Sequence, residues 1–157
     1  MNNTLKLFIS IAVPLGIGAF GSYFTIPGVN GWYQTISKPA WNPPNSIFGP
    51  VWTTLYVLMG VALYLVWKAG SNTTARSTAI SFFVIQLILN SGWSIIFFRQ
   101  HAVGWALAEM VLLWIFILLT IISFAKINKT AAWLLAPYIA WVSFALLLNY
   151  SIWQLNK

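Results

Sequence analysis

The sequence predicts an all-α integral membrane bundle of five transmembrane helices, and three observations predict it. Hydrophobic residues make up 60% of the 157 positions and charged residues only 6%, against roughly a quarter charged in a soluble domain. Mean hydropathy is correspondingly high, at +0.81. The few charges are Lys6, Lys38, Lys68, Arg76, Arg99, Lys126, Lys129 and Lys157, with Glu109 as the single acid. They punctuate five stretches of about the 20 apolar residues that a helix needs to cross the hydrocarbon core. The formal net charge of +7 is spread over the ends of these segments. That is how membrane helices are flanked, whereas a nucleic-acid surface would gather its cations into a stripe.

One domain, residues 1–157, is expected, with helices at about 5–26, 47–68, 77–98, 104–126 and 131–155 and a lid loop at 27–46. The first helix is read from the run Leu7 to Phe24, interrupted only by Pro14. Lys6 before an apolar run and the small pair Ala19 and Gly21 would also suit a cleaved signal peptide, for which the run is somewhat long. Gly18 and Ser22, four apart, would let a neighbouring helix come close, though glycine is simply common in membrane helices.

The lid follows. Pro39, Pro43, Pro44 and Pro50 lack a backbone donor and fix φ, so residues 39–46 are expected to be extended and stiff. Trp32, Tyr33, Trp41, Phe48 and Trp52 stud the stretch, where a flexible linker would carry Gly, Ser and charge. Lys38, Pro39, Trp41, Pro43 and Pro44 are assigned to a lid that covers something.

The second helix, Ile47 to Trp67, is closed by Lys68 and a Gly70-Ser71-Asn72 turn, and Phe48, Trp52, Tyr56 and Met59 share one face. The third, Ser77 to Phe98, carries Gln86, Asn90, Trp93 and Ser94. Amides at mid-depth are costly in hydrocarbon, so Gln86 and Asn90 are expected to face inward, either bonding across helices or lining a cavity. In the fourth, Trp105 to Phe124, Glu109 lies about one turn inside and is expected to snorkel or to pair with Arg99 or a lipid headgroup. In the fifth, Ala131 to Leu155, Tyr138, Trp141, Ala145, Asn149, Ile152 and Asn156 share an inward face, and Pro137 is placed to kink the helix.

Five spans put the two ends of the chain on opposite sides. Lys6, Lys68, Arg76, Lys126 and Lys129 collect on the N-terminal side, against Lys38, Arg99 and Lys157 on the other, which places the N-terminus in the cytoplasm.

The residue inventory excludes much chemistry. Without cysteine there are no disulfides, thiolate metal sites or Cys nucleophile. Every lysine sits near a helix end, against a retinal Schiff base. The single histidine, His101, lies in a connector, against axial haem ligation, and no metal site is expected. One acid and no Gly-rich phosphate loop leave little for a hydrolase or ATPase. What the chain has is ring surface: ten Trp, six Tyr and eleven Phe. Trp32, Trp41, Trp105 and Trp153 suit an interfacial belt, whereas Tyr33, Trp52 and Trp141 fall beside the lid or on inward faces. A pocket of rings with a few amides suits a large, flat, mostly apolar ligand. Lys38 and Arg99 are placed to meet any carboxylates it carries.

Four stretches, WYQTISKPAWNPPNSIFGPVWTTLYVLMG (32–60), QLILNSGWSIIFF (86–98), GWALAEMVLL (104–113) and AAWLLAPYIAWVSFALLLNYSIWQLN (131–156), together resemble the TspO/MBR family of tryptophan-rich sensory and translocator proteins. The resemblance implies five tightly packed helices, commonly dimeric, with a pocket beneath the first loop, in what would be a bacterial inner membrane. It implies binding of porphyrins such as protoporphyrin IX and haem as ligands, with no tightly bound cofactor. Sterols and isoquinoline carboxamide or benzodiazepine-type drugs are further expected ligands. Carried over by motif, Tyr33, Trp52, Asn90, Trp141 and Ala145 would line the pocket, with Tyr56 and Trp93 completing the expected set. Trp52 and Trp141 match tryptophans linked in some bacterial members to light- and oxygen-dependent porphyrin breakdown, so they are the candidate catalytic pair. The sterol-recognition pattern of animal members is incomplete, because Leu148 and Tyr150 are followed by Gln154 where a basic residue is expected. A second reading is a stress-response regulator or lipid-handling protein acting through a partner membrane protein.

Overall fold

The structure is a computed structural model that describes every residue except Ser71, so the expected 70–72 turn falls in part outside the described residues. Six helices form five spans: α1 (Asn3–Asn30), α2 (Phe48–Lys68), α3 (Thr73–Ser94), α4 (Val103–Ala125), and a last span split into α5 (Lys129–Leu134) and α6 (Ala136–Leu155). All five spans are long and apolar enough to cross a membrane.

Three helix starts share one device. The side-chain oxygens of Asn2, Asn72 and Asn128 accept the N–H groups of Leu5, Thr74 and Ala131 at 2.8, 2.8 and 2.9 Å. Such a cap satisfies a donor the helix leaves orphaned and contributes about 1 kcal/mol. Asn72 and Asn128 also explain why the third and fifth spans begin at Thr73 and Lys129, earlier than the apolar runs alone suggested.

The first helix runs through Pro27 to Asn30, four residues beyond its expected end at 26. Proline removes one bond and strains the preceding turn, but the turn beyond Pro27 is held from outside. Gly28 lies so close to Phe98 that a Cβ there would fall 2.7 Å from its ring. Pro137 acts on the last span instead. It has no N–H for the carbonyl four residues back, and the helix is interrupted at Leu135, where the Leu135 N–H turns to the Ala132 carbonyl at 3.1 Å.

The spans close into a ring. α1 packs on α2 and α3, α3 on α4, α4 on both α5 and α6, and α5 on α2. α6 hardly approaches α2. The Pro137 break therefore lets the last span touch α2 at the end of the bundle where α1 begins and stand away from it at the lid end. Glycines set the tight side. A Cβ on Gly60 would sit 2.6 Å from Ile11 Cα and 2.8 Å from the Ser10 carbonyl oxygen, the carbonyl that Pro14 leaves without its helical donor. Gly18 lies directly against the Tyr56 ring, which leaves no room for a Cβ, the close approach its spacing allowed. Ser22 takes no part; it is exposed and its O–H turns back to the Gly18 carbonyl.

Leu55, Met59, Phe83, Leu113, Ile117 and Tyr138 anchor the main core, and Tyr33, Phe97, Phe98, Leu148 and Ile152 form a second cluster near the lid.

Candidate functional site

The lid begins at Gly31 and folds over the gap between α2 and α6. Trp32–Gln34 is a short 3-10 turn that buries Tyr33 to 3% exposure, and the Tyr33 hydroxyl donates to Asn42 Oδ1 at 2.8 Å. The stiff extended run expected at 39–46 is shorter than that. The Asn42 N–H closes a turn on the Pro39 carbonyl, and Asn45–Ile47 is a 3-10 turn leading into α2. Proline fixes φ but leaves ψ free, so the prolines punctuate turns here; Pro44, at φ −57 and ψ 140, is extended.

One set of bonds shapes the lid and another ties it to α6. Lys38 Nζ donates to the Tyr33 and Ile36 carbonyls at 2.6 and 3.1 Å and lies 4.8 Å from the Tyr33 ring centre. Asn156, at the end of α6, accepts the Ser37 N–H at 3.0 Å and donates to the Ser37 carbonyl at 2.8 Å. Lys38 is thus folded back on its own loop. Arg99 lies 5.5 Å from the Phe24 ring centre on the outer side of α1.

Beneath the lid, rings bridge the seam. Trp41 meets Phe144 edge-on at 5.7 Å, Phe144 lies 5.4 Å from Trp141, and Trp141 meets Phe48 at 6.2 Å. One turn along α2 from Phe48, Trp52 stacks on Tyr56 at 5.7 Å and meets Tyr138 at 6.2 Å. The floor is a chain of buried hydrogen bonds. Tyr56 Oη donates to Asn90 Oδ1 at 2.6 Å, Asn90 Nδ2 to Tyr138 Oη at 2.8 Å, and Tyr138 Oη to Gln86 Oε1 at 2.6 Å. The mid-depth amides thus bond across α2, α3 and α6, the first of the two arrangements expected of them. Trp93 forms the side wall, donating from Nε1 to Asn149 Oδ1 at 3.0 Å and stacking on Phe97 at 4.9 Å.

Of the expected pocket residues, Trp52, Tyr56 and Asn90 are joined directly. Trp141 meets Phe48 and packs, like Trp52, against the core that holds Tyr56 and Tyr138, with Ala145 one turn further along α6. Tyr33 stands apart, in the lid-side cluster with Phe97 and Phe98, where Trp93 links it to the rest. The site also includes Tyr138, Gln86, Phe48 and Phe144, which were not in the expected set. Tyr138 and Gln86 stood on the predicted inward faces, and their spacing to Trp141 and Asn90 was the available signal.

Glu109 departs from expectation. Arg99 turns to Phe24, and both Glu109 carboxylate oxygens are buried beside Gly92 without a hydrogen-bond partner among the described residues; a Cβ on Gly92 would lie 3.6 Å from Oε1. The turn Ile95–Arg99 is a π-helix, and the wider winding aims Arg99 toward α1 rather than α4.

Residues 10–154 match the TspO/MBR family. The chain is 45% identical over 152 residues to the tryptophan-rich protein TspO of Chlorobaculum tepidum, covering 97% of this chain and 96% of that one. It is 39% identical over 142 residues to the human translocator protein, covering 89% and 84%. It is 34% identical over 139 residues to protein CrtK of Rhodobacter capsulatus, covering 88% and 85%. An apolar five-span ring, its Trp- and Pro-rich lid and these matches together make the chain an integral membrane protein that belongs to the TspO/MBR family.

Proposed function

We propose that this protein binds flat, largely apolar tetrapyrroles of the protoporphyrin IX and haem type in the seam beneath the lid. The observation that carries the reading is the divergence of α6 from α2, bridged by the rings of Phe48, Trp52, Trp141 and Phe144 and not by backbone packing. A planar macrocycle entering there exchanges ring-to-ring contacts for ring-to-macrocycle contacts of similar geometry and buries a large apolar face. The floor satisfies most of its own polar groups, so it offers a neutral surface that favours an apolar ring. The ligand's carboxylates would meet Lys38 at the lid, where a charged acceptor is a stronger partner than the carbonyls that now hold its ammonium. Isoquinoline carboxamide and benzodiazepine-type compounds share the flat shape, and the seam would accept them in the same way. Relatives named translocator protein and tryptophan-rich sensory protein are in keeping with a membrane protein that handles or senses a small molecule.

The test is titration of the purified protein with protoporphyrin IX in the dark, read by tryptophan fluorescence. Saturable quenching in the micromolar range, weakened in Ala145→Phe, is expected; quenching that never saturates would remove the seam as a binding site. Under illumination in air, loss of the porphyrin bands in the wild type but not in Trp52→Phe/Trp141→Phe would mean that the protein also degrades its ligand. In the dark that double variant should bind within about tenfold of wild type.

A further inference from the structure

A cleft lies on the outside of the bundle, between α1 and the end of the third span. It has a volume of about 950 Å³ and is bounded by α1 at Ala19, Ser22, Tyr23 and Ile26 and by Trp32, Arg99 and His101 at its lid end. Its long wall faces the bilayer: Tyr23 is 76% and Ile26 59% exposed, and α1 is the least buried of the five spans. Its lid end lies where the third span stops and the fourth begins, and the ends of membrane spans sit at the level of lipid headgroups.

Two uncommon backbone features converge on that end. The π-helical turn Ile95–Arg99, with the Gln100 N–H bonded to the Ile95 carbonyl at 3.0 Å, delivers Arg99 to the cleft. Two residues on, His101 is the only non-glycine residue at positive φ, 55°, among the described residues. Its ring stacks on Trp32 at 4.3 Å and 10°. A left-handed histidine is tolerated but costs energy, and here it sets an imidazole beside a guanidinium. Arg99 lies over the Phe24 ring, and among the described residues its N–H groups meet no protein acceptor. A forked cation with free donors, at the head of an apolar groove open to acyl chains, is complementary to an anionic phosphate bearing hydrocarbon tails.

We propose that this cleft is a binding site for one anionic phospholipid, its phosphate on Arg99 and His101 and an acyl chain along Tyr23 and Ile26. A zwitterionic lipid fits the groove equally well but brings a choline cation to the same place, so the site discriminates by headgroup charge.

Native mass spectrometry of the purified protein with equimolar dioleoylphosphatidylglycerol and dioleoylphosphatidylcholine tests this. The wild type is expected to retain one phosphatidylglycerol in preference. Arg99→Gln should cut that preference about fivefold, the weight of one cation near an anionic surface, while Lys129→Gln, at the opposite end, should leave it unchanged. Ser22→Phe, which fills the apolar limb and leaves Arg99 in place, should reduce retention of both lipids and guards against a folding defect in the arginine variant. Equal retention of the two lipids by wild type, full preference in Arg99→Gln, or an equal loss in Lys129→Gln would overturn the proposal. Displacement of the bound lipid by inorganic phosphate alone would reduce the site to a free-anion site. Displacement by protoporphyrin IX would assign the cleft to a carboxylated macrocycle instead.

Discussion

At the end of the bundle where α1, α3 and α5 begin, asparagine caps start the helices and the ring closes with backbone against backbone, Gly60 against Ser10 and Ile11. At the other end α6 leaves α2, and the gap is filled by side-chain rings under a loop held by a few hydrogen bonds. Backbone contact through glycine has no rotamer to give, so the first end cannot open without separating helices. Ring contacts of about 5–6 Å between centroids can be exchanged for another ring at little cost. The fold thus keeps its rigidity and its adaptability at opposite ends of one set of helices.

The sharpest way to break this contrast is Gly60→Val. The new side chain overlaps the backbone of α1, and a loss of about 1–3 kcal/mol is expected in a thermal melt or a denaturant series in detergent. Gly16→Ala is the matching control. A Cβ at Gly16 meets nothing within 4 Å, so that variant should be neutral or slightly more stable; equal damage from both would mean that the glycines matter for helix propensity and not for approach.

Tyr138→Phe tests the floor that joins the two ends. It strands Asn90 Nδ2 and Gln86 Oε1, and a loss of about 1–2 kcal/mol is expected. A melt unchanged from wild type would show the hydrogen bonds to be replaceable by water.

Asn156→Ala sharpens the comparison from the lid side. Two hydrogen bonds to Ser37 are lost, so stability should fall by no more than about 1 kcal/mol, while amide exchange across Trp32–Asn42 accelerates and that of α1 and α2 does not. Uniform acceleration would mean that lid and bundle open as one unit.

The smallest effect concerns Tyr33, whose burial raises its phenol from the ordinary 10 to about 12. Between those pH values the folded lid keeps a proton that an unfolded chain gives up. Its contribution is therefore whole below about pH 10 and is lost as pH rises through 12. Tyrosinate absorbance should show one late-titrating group in wild type that is missing in Tyr33→Phe.

Much of this architecture is legible in the sequence because the bilayer imposes it. Five apolar intervals bounded by cations admit hardly any other reading, and the inward faces of α3 and α6 follow from the expense of Gln86, Asn90 and Asn149 in lipid. What local pattern did not reveal is set by tertiary contacts. The apolar run suggests that α1 stops at about residue 26, but packing of Gly28 on Phe98 accompanies its extension to Asn30. Arg99 looked like a partner for Glu109 until the π-helical turn, for which the sequence gives no periodic signal, swung it to Phe24. The folding back of Lys38 on the Tyr33 and Ile36 carbonyls depends on a turn that proline spacing alone does not specify. Tyr138 stood on the right face, but its place at the centre of the floor needed three helices in view at once.

The latch between Ser37 and Asn156 joins positions 119 residues apart. During synthesis the lid emerges early and Trp52, Tyr56 and Asn90 enter the bilayer with the second and third spans, but the residue that fastens the lid arrives only with the last. Until then the growing chain presents part of an aromatic seam without its cover, and Trp141, the opposite wall, is missing as well. Completion of the site therefore waits for the last of the five spans, and a nascent chain stalled before α6 has a lid with nothing to close on.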